Sequence, residues 1–169
     1  VNIKYKQSDI DNIKSLISKE SKQDELYEKN FNRLIDVKNK ISIFKDMEND
    51  DIKLVIKDVK FIKFIAHETI IKENDVGTDI YFLLSGECRV LTNQKIVGSL
   101  EANHFFGEFS ALSKSKRAAT IRANSDVTVL SFKLATELFD KLPESFAILY
   151  KNIIDELIVK INKFNKKDF

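Results

Sequence analysis

Apolar residues recur along this chain with two different periods, and the change of period divides it. The first sixty residues hold no glycine and no proline, and their apolar positions return every three or four residues: Ile10, Ile13, Leu16 and Ile17, then Leu26, Tyr27, Phe31, Leu34 and Ile35. Such spacing lines one face of a helix, so this region is expected to be helical. Ser8 followed by Asp11, and Ser21 followed by Asp24, predict two helix starts, because a serine hydroxyl accepts from a backbone N–H that the first turn leaves unpaired. Asn49, leading into DDIKLVIKDV with acids in the first turn, predicts a third.

From 61 to 132 the pattern shortens to runs rich in Val, Ile, Phe and Thr, punctuated every eight to ten residues by turn formers. FIKFIA, TIIK, DIYFLL, CRVLT, KIVGSL, AATIRA and TVLSF read as strands of a small sandwich or barrel. Asn74, Gly77, Gly86 and Asn103 mark its corners, each a residue that tolerates positive φ at low steric cost. After 132 the helical period returns in LATELFDKL, then breaks at Pro143, which suits a first helical turn. From Phe146 through Leu149, Ile153, Leu157 and Ile161 to Phe164 one apolar stripe follows. It is longer than a small barrel can cover, so part of it is expected to face a ligand, a second protomer or an upstream partner, or to fold onto the N-terminal helices.

Length and charge narrow the classes. A chain of 169 residues suits one core with a helical extension. Lys and Arg number 28 against 26 Asp and Glu, a net charge of +2 that gives no electrostatic case for nucleic acid or a membrane surface. With no signal peptide and no apolar run near the ~18 residues of a membrane helix, a cytoplasmic location without membrane insertion is expected. The single cysteine, Cys88, cannot form an internal disulfide and reads as a small buried hydrophobe in a strand. His67 and His104 have no coordinating cluster around them, so no metal is expected.

The stretch FFGEFSALSKSKRAAT, residues 105–120, carries the candidate chemistry. A glycine at the entrance of a short helix lets a phosphate approach free N–H groups, and an arginine arriving from the following loop adds a forked set of charged donors. Gly107 and Arg117 are so placed. Glu108 suits a sugar hydroxyl, which donates to a carboxylate. Together the three describe a nucleotide pocket; alternatively Glu108 and Arg117 pair with each other across a surface loop, a contact worth roughly 0–1 kcal/mol.

The whole string is more specific than the pair. FGEFSALSKSKRAAT resembles the phosphate-binding cassette of the cyclic nucleotide-binding domain family, with the same nine-residue offset from Glu to Arg. ETIIKENDVGTDIYFLLSGECRVL is similar to the family's early strands, and SIFKDMENDDIKLVI to the helix before them. The resemblance covers about residues 41–164. It implies an α+β fold, an antiparallel β-roll of about eight strands flanked by N-terminal helices and closed by two C-terminal helices. Residues 1–40 would be a helical extension or connector and 41–169 the domain, with the roll at about 61–132 and the closing helices at about 133–165.

By the same resemblance Glu108 would bind the ribose 2′-hydroxyl and Arg117 the cyclic phosphate. Backbone amides of Gly107, Ser110 and Ala118 would line the pocket, and the Phe109 side chain would help wall it. The helix 144–165 would move over the base as a lid, with Tyr150, Ile153 or Ile154 as candidate contacts or as core. Where the family often has glycine this chain has His67, Asn74 and Asn103, and where proline usually precedes the arginine it has Lys116. Ala118 stands where members favouring cyclic GMP often carry threonine, which tilts the expected ligand to cyclic AMP, with cyclic GMP possible.

The resulting expectation is a non-enzymatic cyclic nucleotide sensor that couples ligand binding to its flanking helices, and through them to a homodimer mate or an upstream effector domain. Two alternatives stand beside it: a cytoplasmic gating module of a channel, and a ligand-free interaction domain of the same fold. A catabolite-activator-type transcription factor would need a helix-turn-helix after the long helix, so no direct nucleic-acid binding by this chain is expected.

Overall fold

The computed structural model describes residues 6–8, 10–13 and 24–165. The helix start expected at Ser21, the apolar positions Leu16 and Ile17, and the tail beyond 165 lie outside them. The described chain forms two compact units, one of strands from Ile56 to Leu134 and one of helices built from the residues on either side.

In the strand unit, β1 (Ile56–Phe64), β2 (Thr69–Ile71), β3 (Ile80–Ser85), β4 (Glu87–Thr92), β5 (Lys95–Glu101), β6 (Phe105–Phe106), β7 (Thr120–Ala123) and β8 (Val127–Leu134) form two four-stranded sheets. Their orders are β1-β8-β3-β6 and β2-β7-β4-β5, and each pairing is antiparallel. This is the α+β β-roll that the sequence implied. Ile71, Leu83, Cys88, Phe106, Ile121, Ala123, Val127 and Val129 make a buried cluster. Cys88 lies within it as a small apolar group, and burial pushes its thiol up to about 11. A single short helix, Glu108–Ser113, joins β6 to β7.

The corners follow the chemistry of their residues. Asn74 and Asn103 both have φ of 69° and His67 has 74°, so the left-handed turns survive without glycine at three positions. Gly77 differs: its φ is not positive, and its role is spatial, as described below.

In the helical unit, α1 is Asp24–Val37 and α2 is Asn49–Val55, the latter starting where the acids Asp50 and Asp51 predicted. α3 is the short helix Glu108–Ser113 of the strand unit, and α4, Pro143–Asn165, is opened by the proline. LATELFDKL is not α-helical but a tight 3₁₀ turn over Thr136–Lys141. α4 packs on a second 3₁₀ turn, Ser42–Phe44. Asn152 fixes that contact: its buried amide donates to the carbonyls of Ile43 at 3.1 Å and Lys45 at 2.7 Å. Ser145 donates to Asp51 at 3.1 Å, and burial is the main cause that raises the Asp51 carboxyl above its ordinary range.

One expected boundary moves. The helix predicted to run from Asn49 through Val59 stops at Val55, and Ile56–Lys60 is strand. Ile56 pairs with Leu134, the register slips between Lys57 and Lys60, and Asp58 takes a φ of 57° at the slip. The β-branched Ile56 and Val59 suit a pleated surface, and pairing with β8 outweighs the helical period.

Candidate functional site

The site is built where β6 hands over to α3. Gly107 sits at the N-cap with φ of 83°, a conformation that side chains rarely adopt. The turn also leaves no room: a Cβ on Gly107 would lie 2.8 Å from Arg117 Nη1 and 2.8 Å from the Asp79 carbonyl oxygen. Glycine is required here on both counts.

Arg117 reaches back from the loop after α3 and is 6 % exposed. Nη1 donates to the Gly107 carbonyl at 2.9 Å and to Ser110 Oγ at 2.8 Å, and Nη2 donates to the Asp79 carbonyl at 2.9 Å. The cation also lies over the Tyr81 ring, 6.0 Å from its centroid. Tyr81 in turn stacks on Phe106 at 5.2 Å. Burial first, then the charge of Asp79, raises the Tyr81 phenol above its ordinary range. The guanidinium's hydrogen bonds thus go to neutral oxygens, not to a carboxylate, and the surface pairing of Arg117 with Glu108 is not the arrangement adopted.

The main chain of Arg117 is fixed as well. Its N–H donates to the Asp75 carbonyl at 2.8 Å, and its carbonyl accepts from Asn74 N–H at 2.9 Å. This ties the loop after α3 to the loop between β2 and β3. Gly77, in that second loop, faces the Nε–Nη2 edge of the guanidinium, and a Cβ there would lie 2.9 Å from Nη2 and 3.1 Å from Nε.

The structure therefore brings Gly107, Ser110 and Arg117 together directly. Glu108 is buried, at 7 % exposed, in the first turn of α3. Phe109 is 60 % exposed, and Ala118 is exposed after the arginine. Sequence reasoning assigned Ser110 through its amide and missed that its hydroxyl holds Arg117. It also missed the Asp79 carbonyl, the Tyr81 ring and the spatial role of Gly77. The Tyr-Phe-Leu run was visible, but only the fold sets one of its rings beneath the arginine.

Such a site can bind an anion. Three of the guanidinium's five N–H donors are used within the protein, each on a carbonyl or hydroxyl oxygen. Among the described residues no three His, Cys, Asp or Glu side chains are grouped to hold a metal ion. No helix among them is long and apolar enough to cross a membrane.

Residues 61–141 match the family model described as the cyclic nucleotide-binding domain. The chain is 30 % identical over 95 residues to a cGMP-dependent protein kinase of Eimeria tenella, covering 56 % of this chain and 10 % of the kinase. It is 24 % identical over 126 residues to the potassium/sodium hyperpolarization-activated cyclic nucleotide-gated channel 2 of Mus musculus, covering 75 % of this chain and 14 % of the channel. The matched stretch thus spans 10–14 % of the length of these curated relatives. In fold it is similar to a solved cyclic nucleotide-binding domain of Methylobacillus flagellatus, with TM-score 0.64, 19 % identity and 82 % of each chain covered. Sheet order, cassette geometry and family match converge on one conclusion: residues 61–141 belong to the cyclic nucleotide-binding domain family.

Proposed function

We propose that this chain binds a cyclic nucleotide, cyclic AMP in preference to cyclic GMP, as a regulatory sensor that leaves its ligand chemically unchanged. The observation that carries the reading is Arg117: a buried cation, forked onto neutral oxygens and lying beside a glycine-capped helix start. A buried charge is costly unless compensated, and an anionic ring phosphate is the natural counter-charge. Its remaining donors, Nε–H and one N–H of Nη2, are the ones such a group accepts from. Glu108 takes the ribose 2′-hydroxyl, and the amides of Gly107, Ser110 and Ala118 complete the cradle. The preference for adenine rests on Ala118, which offers guanine no hydroxyl. Binding is coupled to α4 and the N-terminal helices, and from them to an effector segment or a sister chain. The coupling is limited to the ligand's differential affinity for the two states.

The ribose assignment is tested by a cycle of two changes, one in the protein and one in the ligand. The native chain is expected to bind 2′-deoxy cyclic AMP at least roughly fivefold more weakly than cyclic AMP, about 1 kcal/mol for a hydrogen bond to a charged group. Glu108→Ala should bind both with the same affinity. A variant that discriminates between them as well as the native chain does would remove Glu108 from the ribose. The alignment with the channel, longer than that with the kinase, supports a second reading of the output, a gating module. Currents recorded from the whole protein, with and without cyclic AMP, separate the two.

A further inference from the structure

β5 is the outer strand of its sheet: in the order β2-β7-β4-β5 it pairs with β4 alone. An outer strand presents a row of backbone N–H and C=O groups that another strand can meet. β5 is also exposed along its side chains, with Ile96 58 % and Val97 53 % exposed. That two consecutive apolar residues face outward follows from the register. Gly98 lies opposite Val90 and Ile96 opposite Leu91, so Val97 is an extra residue and the strand bulges there.

The sequence of this strand, Lys95-Ile-Val-Gly-Ser-Leu-Glu101, carries opposite charges at its ends and a glycine at its centre. Laid antiparallel against a second copy about a two-fold axis at Gly98, it sets Lys95 against Glu101, Ile96 against Leu100 and Val97 against Ser99, each contact occurring twice. A slip of the register away from Gly98 loses both charge pairs. Within one chain these charges are unspent: among the described ion pairs none involves Lys95 or Glu101. Glu101 moreover lies directly across from Glu87 on β4, like charge against like. A lysine brought by a second copy relieves that repulsion.

We propose that two copies of this chain associate edge to edge through β5, in the antiparallel register centred on Gly98, making one sheet continuous across the two-fold axis. Lysine on an outer strand ordinarily discourages such pairing; here the same lysine meets its counter-charge. The surface is isologous, as closed dimers require, and it shares no residue with the proposed nucleotide site.

Sedimentation equilibrium of the full chain across the micromolar range is the test. A concentration-dependent monomer–dimer equilibrium is expected. Lys95→Glu and Glu101→Lys, each singly, should raise the dissociation constant at least roughly tenfold, since each turns two attractions into two repulsions. The double reversal, K95E with E101K, should return it to within about threefold of native, because the pairs are restored with exchanged signs. All four residues of the crossed pairs are exposed, and far-ultraviolet circular dichroism confirms that each variant is folded. A monomer at every concentration overturns the proposal, as does a dimer indifferent to the single reversals or a double reversal no better than either single one.

Discussion

Gly77→Ala isolates the grip on Arg117 without touching the arginine itself. The added methyl would stand 2.9 Å from Nη2, 3.1 Å from Nε and 3.3 Å from Cζ, about half an ångström inside ordinary contact at ~3.5 Å. The guanidinium cannot simply retreat, because Gly107 closes on Nη1 from the other side. The Nη2 bond to the Asp79 carbonyl, now 2.9 Å, is the first to stretch beyond useful length. A hydrogen bond to a charged group contributes about 1.5–3 kcal/mol. Replacing glycine by alanine at a compatible backbone conformation returns about 0.4–1 kcal/mol through the unfolded chain. The net expectation is a loss of about 1–2 kcal/mol.

The same substitution made in an Arg117→Ala background meets no guanidinium and should be neutral or slightly stabilising. Urea unfolding of the native chain, the two single variants and the double variant, followed by circular dichroism, yields the coupling energy. It should be about 1.5–3 kcal/mol. If Gly77→Ala costs the same with and without Arg117, the close approach is not what constrains Gly77, and the reasoning fails.

Four further outcomes follow from the structure. Asn152→Ala removes the donor from the buried contact with the Ile43 and Lys45 carbonyls and should lower stability by about 2–4 kcal/mol in urea unfolding; a loss below about 0.5 kcal/mol would show that this anchor of α4 is dispensable. Cys88, pushed up to about 11 by burial, should resist thiol reagents at neutral pH in the folded chain and react on unfolding. Because its folded value lies above the unfolded one, its contribution is complete below the unfolded value and is lost as pH rises toward about 11. Cys88→Ala should flatten that alkaline decline, measured by thermal unfolding across the range; a slope equal to the native one would assign the decline to another group. Tyr81, whose phenol is likewise raised, adds a decline of the same sign, and Tyr81→Phe should remove it without loss of the ring beneath Arg117.

What could be read from the sequence was whatever rests on local chemistry. Asn49 and its acids marked the start of α2, Pro143 the start of α4, and Asn74 and Asn103 the left-handed corners. Seven of the strands announced themselves by their runs of apolar and β-branched residues. β6 did not, because Phe105–Phe106 is only two residues long and gains its partner, β3, from elsewhere in the chain. Ile56–Lys60 was misjudged because DDIKLVIKDV fits a helical period to its end, and only pairing with β8 decides otherwise. In the cradle, Gly107 and Arg117 were legible because a side chain, or the lack of one, carries the pattern. The Asp79 carbonyl was not, since a main-chain acceptor leaves no signature in residue type. Gly77 looked like a corner that needed positive φ, and the structure gives it a different reason, room for a guanidinium.

The central claim, that Arg117 in its glycine-lined cradle holds a cyclic phosphate, is tested most directly by calorimetric titration of the native chain and of Arg117→Lys with cyclic AMP and cyclic GMP. Lysine keeps the charge but loses the fork. The account predicts one site per chain with micromolar affinity, tighter for cyclic AMP, and at least a roughly tenfold loss in the variant, about 1.4 kcal/mol. No binding of either nucleotide to the folded native chain, or equal affinity in the variant, would contradict it.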